Sequence, residues 1–139
     1  MAALSDQATF VERLRAIVGT DNVLDSQAEL LVYECDAFTL EKHVPQVAVL
    51  PQSAGEVARI VKLCVAHDVP FMPRGAGTSL AGGSAPVGGG VMIVLTRMKA
   101  ILDVNLRDRY AVVEPGVVNA ALNRHLAATG YHYAPDPSS

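Results

Sequence analysis

The chain has no tryptophan, and aromatic residues make up only 5% of its 139 positions. Its two cysteines, Cys35 and Cys64, are isolated, with no Cys-x-x-Cys pair and no histidine at metal spacing. That pattern excludes a disulfide framework and a zinc site and reads as two reduced thiols in a cytoplasmic core. The 11 lysines and arginines are scattered against 14 acidic residues, for a net charge of −3. Without a basic stripe or an aromatic platform, no nucleic-acid partner is expected. The longest aliphatic run, Val91–Leu95, is far too short to span a bilayer, so no transmembrane segment is expected. The first residues, Met-Ala-Ala-Leu-Ser-Asp, lack the basic and apolar regions of a secretory signal.

Charge is also missing locally. Between Asp68 and Arg97 the only charged side chain is Arg74, in a stretch that holds seven of the 11 glycines. Glycine permits positive φ and lets a ligand approach the backbone closely. Successive N–H groups can then converge on one anion as a phosphate nest. The run Gly75-Ala-Gly77-Thr-Ser-Leu80 has leucine where a Rossmann fingerprint needs its third glycine, and no lysine lies between Gly75 and Lys99 to complete a Walker A loop. What remains is a longer loop that binds phosphate through its own amides. Thr78, Ser79 and Ser84 can add hydroxyl donors, and Arg74 either supplies a positive charge at the rim or pairs with a carboxylate elsewhere. Taken alone, a loop of this kind is either a nucleotide site or a structural turn.

The surrounding pattern is that of one domain-sized chain, long enough to bury about two thirds of its unfolded surface. Phe10, Val11, Leu14, Ile17 and Val18 recur at helical spacing, with Gly19 as the stop. Ser26-Gln-Ala-Glu29 has capping-box form and opens a short helix through Tyr33. Val44–Leu50 reads as a strand closed by Pro51, and a second capping box, Ser53-Ala-Gly-Glu56, starts a helix that ends near Asp68. Val69–Met72 is the next strand. Strand, helix and strand form a βαβ unit with parallel strands, and its right-handed crossover puts the loop at a carboxyl strand end, where ligands bind. After the loop, strands at Val91–Leu95, Ile101–Val104 and Tyr110–Val113 form a meander, followed by a helix over Asn119–Thr129 that Gly130 ends. Histidines 43, 67, 125 and 132 lie on helices or near strand ends and read as structural or solvent-facing.

The run Pro73-Arg-Gly-Ala-Gly-Thr-Ser-Leu-Ala-Gly-Gly-Ser84 resembles the pyrophosphate loop of FAD-linked oxidases of the vanillyl-alcohol-oxidase/PCMH type. Tyr33-Glu-Cys-Asp36, Val113-Glu-Pro-Gly-Val117 and Tyr133-Ala-Pro-Asp-Pro-Ser-Ser139 agree in order and spacing. Together they are similar to the N-terminus of the FAD-binding subunit of bacterial glycolate oxidase, relatives of which act on D-lactate and D-2-hydroxyglutarate. The resemblance implies an α+β fold with an α/β-like N-terminal subdomain: a parallel βαβ portion, then a mostly antiparallel sheet with helices. It divides the chain into an N-terminal helical segment, 1–42, and the first portion of a PCMH-type FAD-binding domain, 43–139, incomplete at its C-terminus.

By the same resemblance, Gly75, Ala76, Gly77, Thr78 and Ser79 wrap the FAD diphosphate and Gly83 and Ser84 close the turn, with Arg74 a further candidate for cofactor binding from its charge. Pro135, Asp136, Pro137, Ser138 and Ser139 begin a second flavin-contacting segment, and Pro115 and Gly116 either wall the cofactor or merely end a strand. Some relatives attach flavin covalently through a histidine in an Arg-x-Gly-Gly-His form of this loop. Here Thr78 stands at that place, so FAD is expected to be non-covalent. The implied activity is oxidation of a small 2-hydroxy acid, bound by a cap domain outside this chain, with no catalytic residue in the chain itself. Electrons pass to a partner acceptor such as an iron–sulfur subunit, in the cytoplasm or peripherally on the inner membrane through such partners. The rival readings are a diphosphate-binding module without redox chemistry and a structural or interaction role.

Overall fold

The apolar runs Val47–Val49 and Val91–Val94 are buried on both faces, and the rest of the fold is built around that pair. A computed structural model describes residues 2–135. In chain order the elements are α1 (Ala2–Val18), β1 (Val23–Leu24), α2 (Gln27–Leu30), β2 (Val47–Val49), α3 (Ala54–Ala66), β3 (Phe71–Arg74), β4 (Val91–Val94), β5 (Ile101–Asn105), β6 (Tyr110–Val113) and α4 (Asn119–Leu126). Four strands make one sheet in the order β1-β2-β4-β3, and β5 and β6 form a separate antiparallel hairpin.

Side chains alternate across a strand, so the two central strands feed two cores. On one face Val47, Val49, Val91 and Ile93 meet Phe10, Leu14 and Val18 of α1 and Ile60 and Cys64 of α3. On the other, Ala48, Met92 and Val94 pack with Leu30, and Tyr33 joins at the margin. The N-terminal segment therefore serves both layers. It is also not purely helical, because β1 pairs antiparallel with β2. A two-residue strand carries no periodicity to read in advance.

Gly19 ends α1 at φ +87°, and α1 reaches back to Ala2, beyond the apolar face that marks it in the sequence. At α3 the Ser53 hydroxyl accepts from the Glu56 amide at 3.2 Å, while the Glu56 carboxylate accepts from the Gln52 amide at 2.8 Å. The capping signal is sound there. At Ser26 it works differently: the hydroxyl bonds the Glu29 carboxylate instead of an amide, and α2 is a single turn continued by a 3-10 turn, Leu31–Tyr33.

The strand expected over Val44–Leu50 is only Val47–Val49, because Pro45 has no N–H to give a ladder. The next strand lies two residues later than expected, at Phe71–Arg74. The end of α3 consumes the intervening chain: the Val69 amide bonds the Cys64 carbonyl at 2.9 Å, and Asp68 sits at φ +53°. Pro73 is tolerated because β3 is an edge strand.

β2 and β3 run in the same direction, as expected, but they are not neighbours. β4 lies between them, parallel to both. The strand at Val91–Val94 thus belongs to the parallel part of the larger sheet, and of the expected meander only β5 and β6 pair antiparallel. Parallel neighbours need a crossover of a dozen or more residues, usually helical. Between β3 and β4 that crossover is the glycine loop, residues 75–90.

The second half of the loop is built into the fold. Ala85 and Pro86 are buried, and Gly90, at φ +74°, has no room for a side chain: a Cβ there would lie 2.0 Å from the Pro70 carbonyl oxygen. Beyond the sheet, α4 buries Leu122 and Leu126 and passes through a 3-10 turn to Gly130 at φ +76°, the expected stop.

Gly90→Ala should cost about 2 kcal/mol or more in urea unfolding, since both the left-handed backbone and the Pro70 contact must give way. Burial pushes the Cys64 thiol up to about 11. Its neutral form contributes stability in full below the ordinary thiol range near 8.5, and that contribution is lost as pH rises toward the folded value. Urea midpoints should fall between about pH 9 and 11, and less steeply in Cys64→Ala.

Candidate functional site

The first half of the glycine loop leaves the carboxyl end of β3 with its main-chain donors unspent. Among the described residues, the N–H groups of residues 75–80 make no hydrogen bond to a protein acceptor. Beyond them, the Ala81 amide donates to the Ser79 hydroxyl at 3.2 Å and the Ala85 amide to the Gly82 carbonyl at 3.1 Å. Gly77 and Gly82 adopt φ of +75° and +68°, the left-handed conformations from which nests are built. Gly75, Ala76, Thr78, Ser79 and Gly83 are all exposed.

The glycines of this half divide by cause. A Cβ on Gly77 would fall 2.1 Å from Arg74 Nη2, so the fold itself requires glycine there. Gly82 is likewise fixed by its backbone. At Gly75 and Gly83, by contrast, φ is not left-handed and a Cβ would meet nothing within 4 Å. Neither backbone strain nor packing explains those two. Open space beside unspent amides is what a ligand pressed against the backbone would need.

Two expected contacts turn inward. Arg74 is 8% exposed and neither stands at the rim nor meets a carboxylate as expected. Its Nη1 donates to the Cys35 carbonyl at 2.8 Å, and its guanidinium lies 5.6 Å from the centre of the Tyr33 ring. Ser84 is also buried, and its hydroxyl donates to Asp36 Oδ2 at 3.4 Å. The Tyr33–Asp36 segment therefore lies under the loop. Asp36 carried no assigned role in the sequence: its partner is 48 residues away, and only the Asx turn to Phe38 is a local signal.

The second expected segment is fixed by α4. Asn123 forms a two-way pair with Tyr133, its Oδ1 accepting from the Tyr133 amide at 2.7 Å and its Nδ2 donating to the Tyr133 carbonyl at 3.2 Å. Asn119 Nδ2 donates to the Pro135 carbonyl at 2.8 Å. Their i,i+4 spacing on one helix face is the sequence signal for these anchors. Asp136, Pro137, Ser138 and Ser139 lie outside the described residues. Gly116 is explained by the fold alone, since a Cβ would lie 2.6 Å from the Leu95 carbonyl oxygen and 2.7 Å from that of Met98. A separate cavity of about 190 Å³ between the β5–β6 hairpin and α4 is lined by Tyr110, Leu122, Leu126, Tyr131 and Tyr133, and by no residue of the loop.

The electrostatics suit an anion held without lysine. Arg74 puts one positive charge beneath the amides, while Asp36 is occupied by its own donors. Four or five hydrogen bonds to a charged group, at roughly 1.5–3 kcal/mol each, would hold a diphosphate once the cost of ordering is subtracted.

Residues 45–139 match the family of FAD binding domains. The glycolate oxidase subunit GlcD of Escherichia coli (strain K12) is 40% identical over 134 residues, covering 96% of this chain and 27% of that protein. A probable mitochondrial D-lactate dehydrogenase of Danio rerio is 33% identical over 129 residues, covering 93% of this chain and 26% of that protein. The chain thus spans about a quarter of the length of these relatives. Among solved structures, p-cresol methylhydroxylase with substrate bound superposes with a TM-score of 0.80 at 29% identity, over 90% of this chain and 25% of that one.

Gly77→Ala should lower stability by about 1–3 kcal/mol by forcing the Arg74 guanidinium aside and straining the backbone. Gly75→Ala and Gly83→Ala should stay within about 1 kcal/mol of the parent chain. Thermal unfolding of the three variants checks the contrast.

Proposed function

The chain belongs to the family of FAD binding domains, and on that premise we propose that residues 75–79 and Gly83 hold the diphosphate of a dissociable FAD within a 2-hydroxy-acid oxidoreductase. The observation that carries the loop assignment is the pair Gly75 and Gly83, glycine without a reason in the fold, beside amides without a protein partner. Gly75, Ala76, Gly77, Thr78 and Ser79 supply main-chain donors, and Thr78 and Ser79 add exposed hydroxyls. Arg74 and Ser84 act from below, through charge and loop shape. Asn119 and Asn123 hold the chain at Tyr133 and Pro135, the latter being the first residue of the second flavin-contacting segment.

Thr78 leaves no histidine in the loop to form a covalent flavin link. When bound, FAD supplies a two-electron acceptor for the hydride equivalent on the α-carbon of a 2-hydroxy acid, whose hydroxyl proton goes to a base as the 2-oxo acid forms. This chain's own residues bind and orient; none is assigned to proton transfer. Glycolate or D-lactate is the substrate type favoured by the relatives' names, with the acid held by a cap beyond this chain and electrons leaving to a partner such as an iron–sulfur subunit. No helix among the described residues is long and apolar enough to cross a membrane. Cytoplasmic placement, or peripheral attachment to the inner membrane through partner subunits, fits that reading.

Titration of the chain with FAD, ADP and riboflavin, followed by calorimetry and flavin fluorescence, tests the assignment. FAD should bind more tightly than ADP, riboflavin should bind weakest, and acid precipitation should release all flavin. Gly75→Ala and Gly83→Ala should each weaken FAD about tenfold or more, equivalent to about 1.4 kcal/mol, without loss of stability. Equal affinity for ADP and FAD would favour a diphosphate-binding module without redox chemistry. Failure to bind any of the three would overturn the proposal.

A further inference from the structure

We propose that Asp36 is a positioning residue, the keystone of a brace formed by residues 33–38 that holds the glycine loop in its ligand-ready shape before any ligand arrives. The inference rests on the reading of residues 75–83 as a phosphate-binding span, but the brace is a property of the chain alone.

Three joints connect the two segments. At the loop's entry, Arg74 is tied to the Cys35 carbonyl and lies against the Tyr33 ring. At its middle, Gly82 faces Phe38, whose ring carbon would lie 3.4 Å from a Cβ on that glycine. Just beyond, Ser84 donates to Asp36 Oδ2. The span with unspent amides is therefore clamped at both ends by six consecutive residues that touch none of its donors.

Asp36 makes one joint directly and sets the turn that carries another. It is 5% exposed, and a carboxylate that deep is tolerated only when both oxygens are satisfied. Oδ1 takes the Phe38 amide at 2.9 Å, which sets the turn of its own segment, and Oδ2 takes the Ser84 hydroxyl of the loop. One side chain thereby ties the turn that carries Phe38 to Ser84, just past the span of unspent amides, and sits next in sequence to the Cys35 carbonyl that receives Arg74. A loop ordered in advance loses less freedom when a ligand binds, and affinity rises accordingly.

Trypsin reports the brace without any ligand. Cleavage after Arg74 requires its guanidinium to leave the Cys35 carbonyl, whereas Arg107 and Arg109 in the exposed hairpin turn give an internal reference. In Asp36→Ala and Ser84→Ala, cleavage at Arg74 should accelerate about tenfold or more while the hairpin sites are cut at the parent rate. Asp36→Asn keeps an acceptor for Phe38 and a partner for Ser84, and should remain within about twofold of the parent. ADP and FAD affinities should follow the same order, falling about tenfold in the alanine variants and recovering in Asp36→Asn.

Cleavage at Arg74 that stays at the parent rate in Ser84→Ala and Asp36→Ala would overturn the proposal, as would loop opening that leaves FAD and ADP affinity unchanged. If Asp36→Ala unfolds, seen as new cuts at Arg59 and Lys62 within α3, Ser84→Ala carries the test with the loss of a single hydroxyl. A parent chain that binds neither FAD nor ADP, yet opens at Arg74 in both alanine variants, would support the brace and sink the FAD assignment.

Discussion

The constraint on which the structure turns is the parallel pairing of β3 with β4. Two neighbouring strands that point the same way oblige the chain to travel back the full length of the sheet between them. A helix would consume its own N–H groups on that journey. This chain makes the return as open loop, and every backbone donor then needs another partner. In the return half the amides of Ala85, Val87 and Gly89 find acceptors within the loop itself, and the chain packs against Pro70. The outgoing half leaves its donors in reach of solvent at a strand's carboxyl end, so one topological choice creates both a crossover and the span proposed to hold a diphosphate.

The N-terminal segment makes that choice workable. α1 covers one face of the sheet together with α3, while the chain from α2 to Phe38 covers the other and passes beneath the loop. Val94 and Arg74 are register partners, which places the arginine on the face where Tyr33 and Leu30 already pack. The cation is thus delivered to the underside of the loop by strand pairing and sheltered there by residues that come long before it in the sequence.

Helices were legible because their signals are local: apolar spacing in α1 and α3, the Ser53 cap, and Gly19 and Gly130 as stops. The glycine loop and its place after a strand were equally plain. Pairing order was not, since nothing within Val91–Val94 distinguishes a central parallel strand from the start of a meander. The site was legible as a stretch and not as a mechanism. Sequence shows the seven glycines of the loop alike, whereas the structure separates those that the fold demands, such as Gly77 and Gly90, from Gly75 and Gly83, which it does not. Arg74 illustrates the same limit: its charge is visible in the sequence, but its carbonyl partner lies 39 residues upstream.

The margins of the four-stranded sheet carry a consequence for solubility. One border is β1, only two residues long, and the other is β3, where Pro73 interrupts the row of N–H groups a foreign strand would need. Short or proline-bearing borders are poor templates for recruiting another chain. The proline that stands just before the glycine loop thus also discourages edge-to-edge aggregation, a burden that a sheet with only one antiparallel pairing and no barrel closure would otherwise bear.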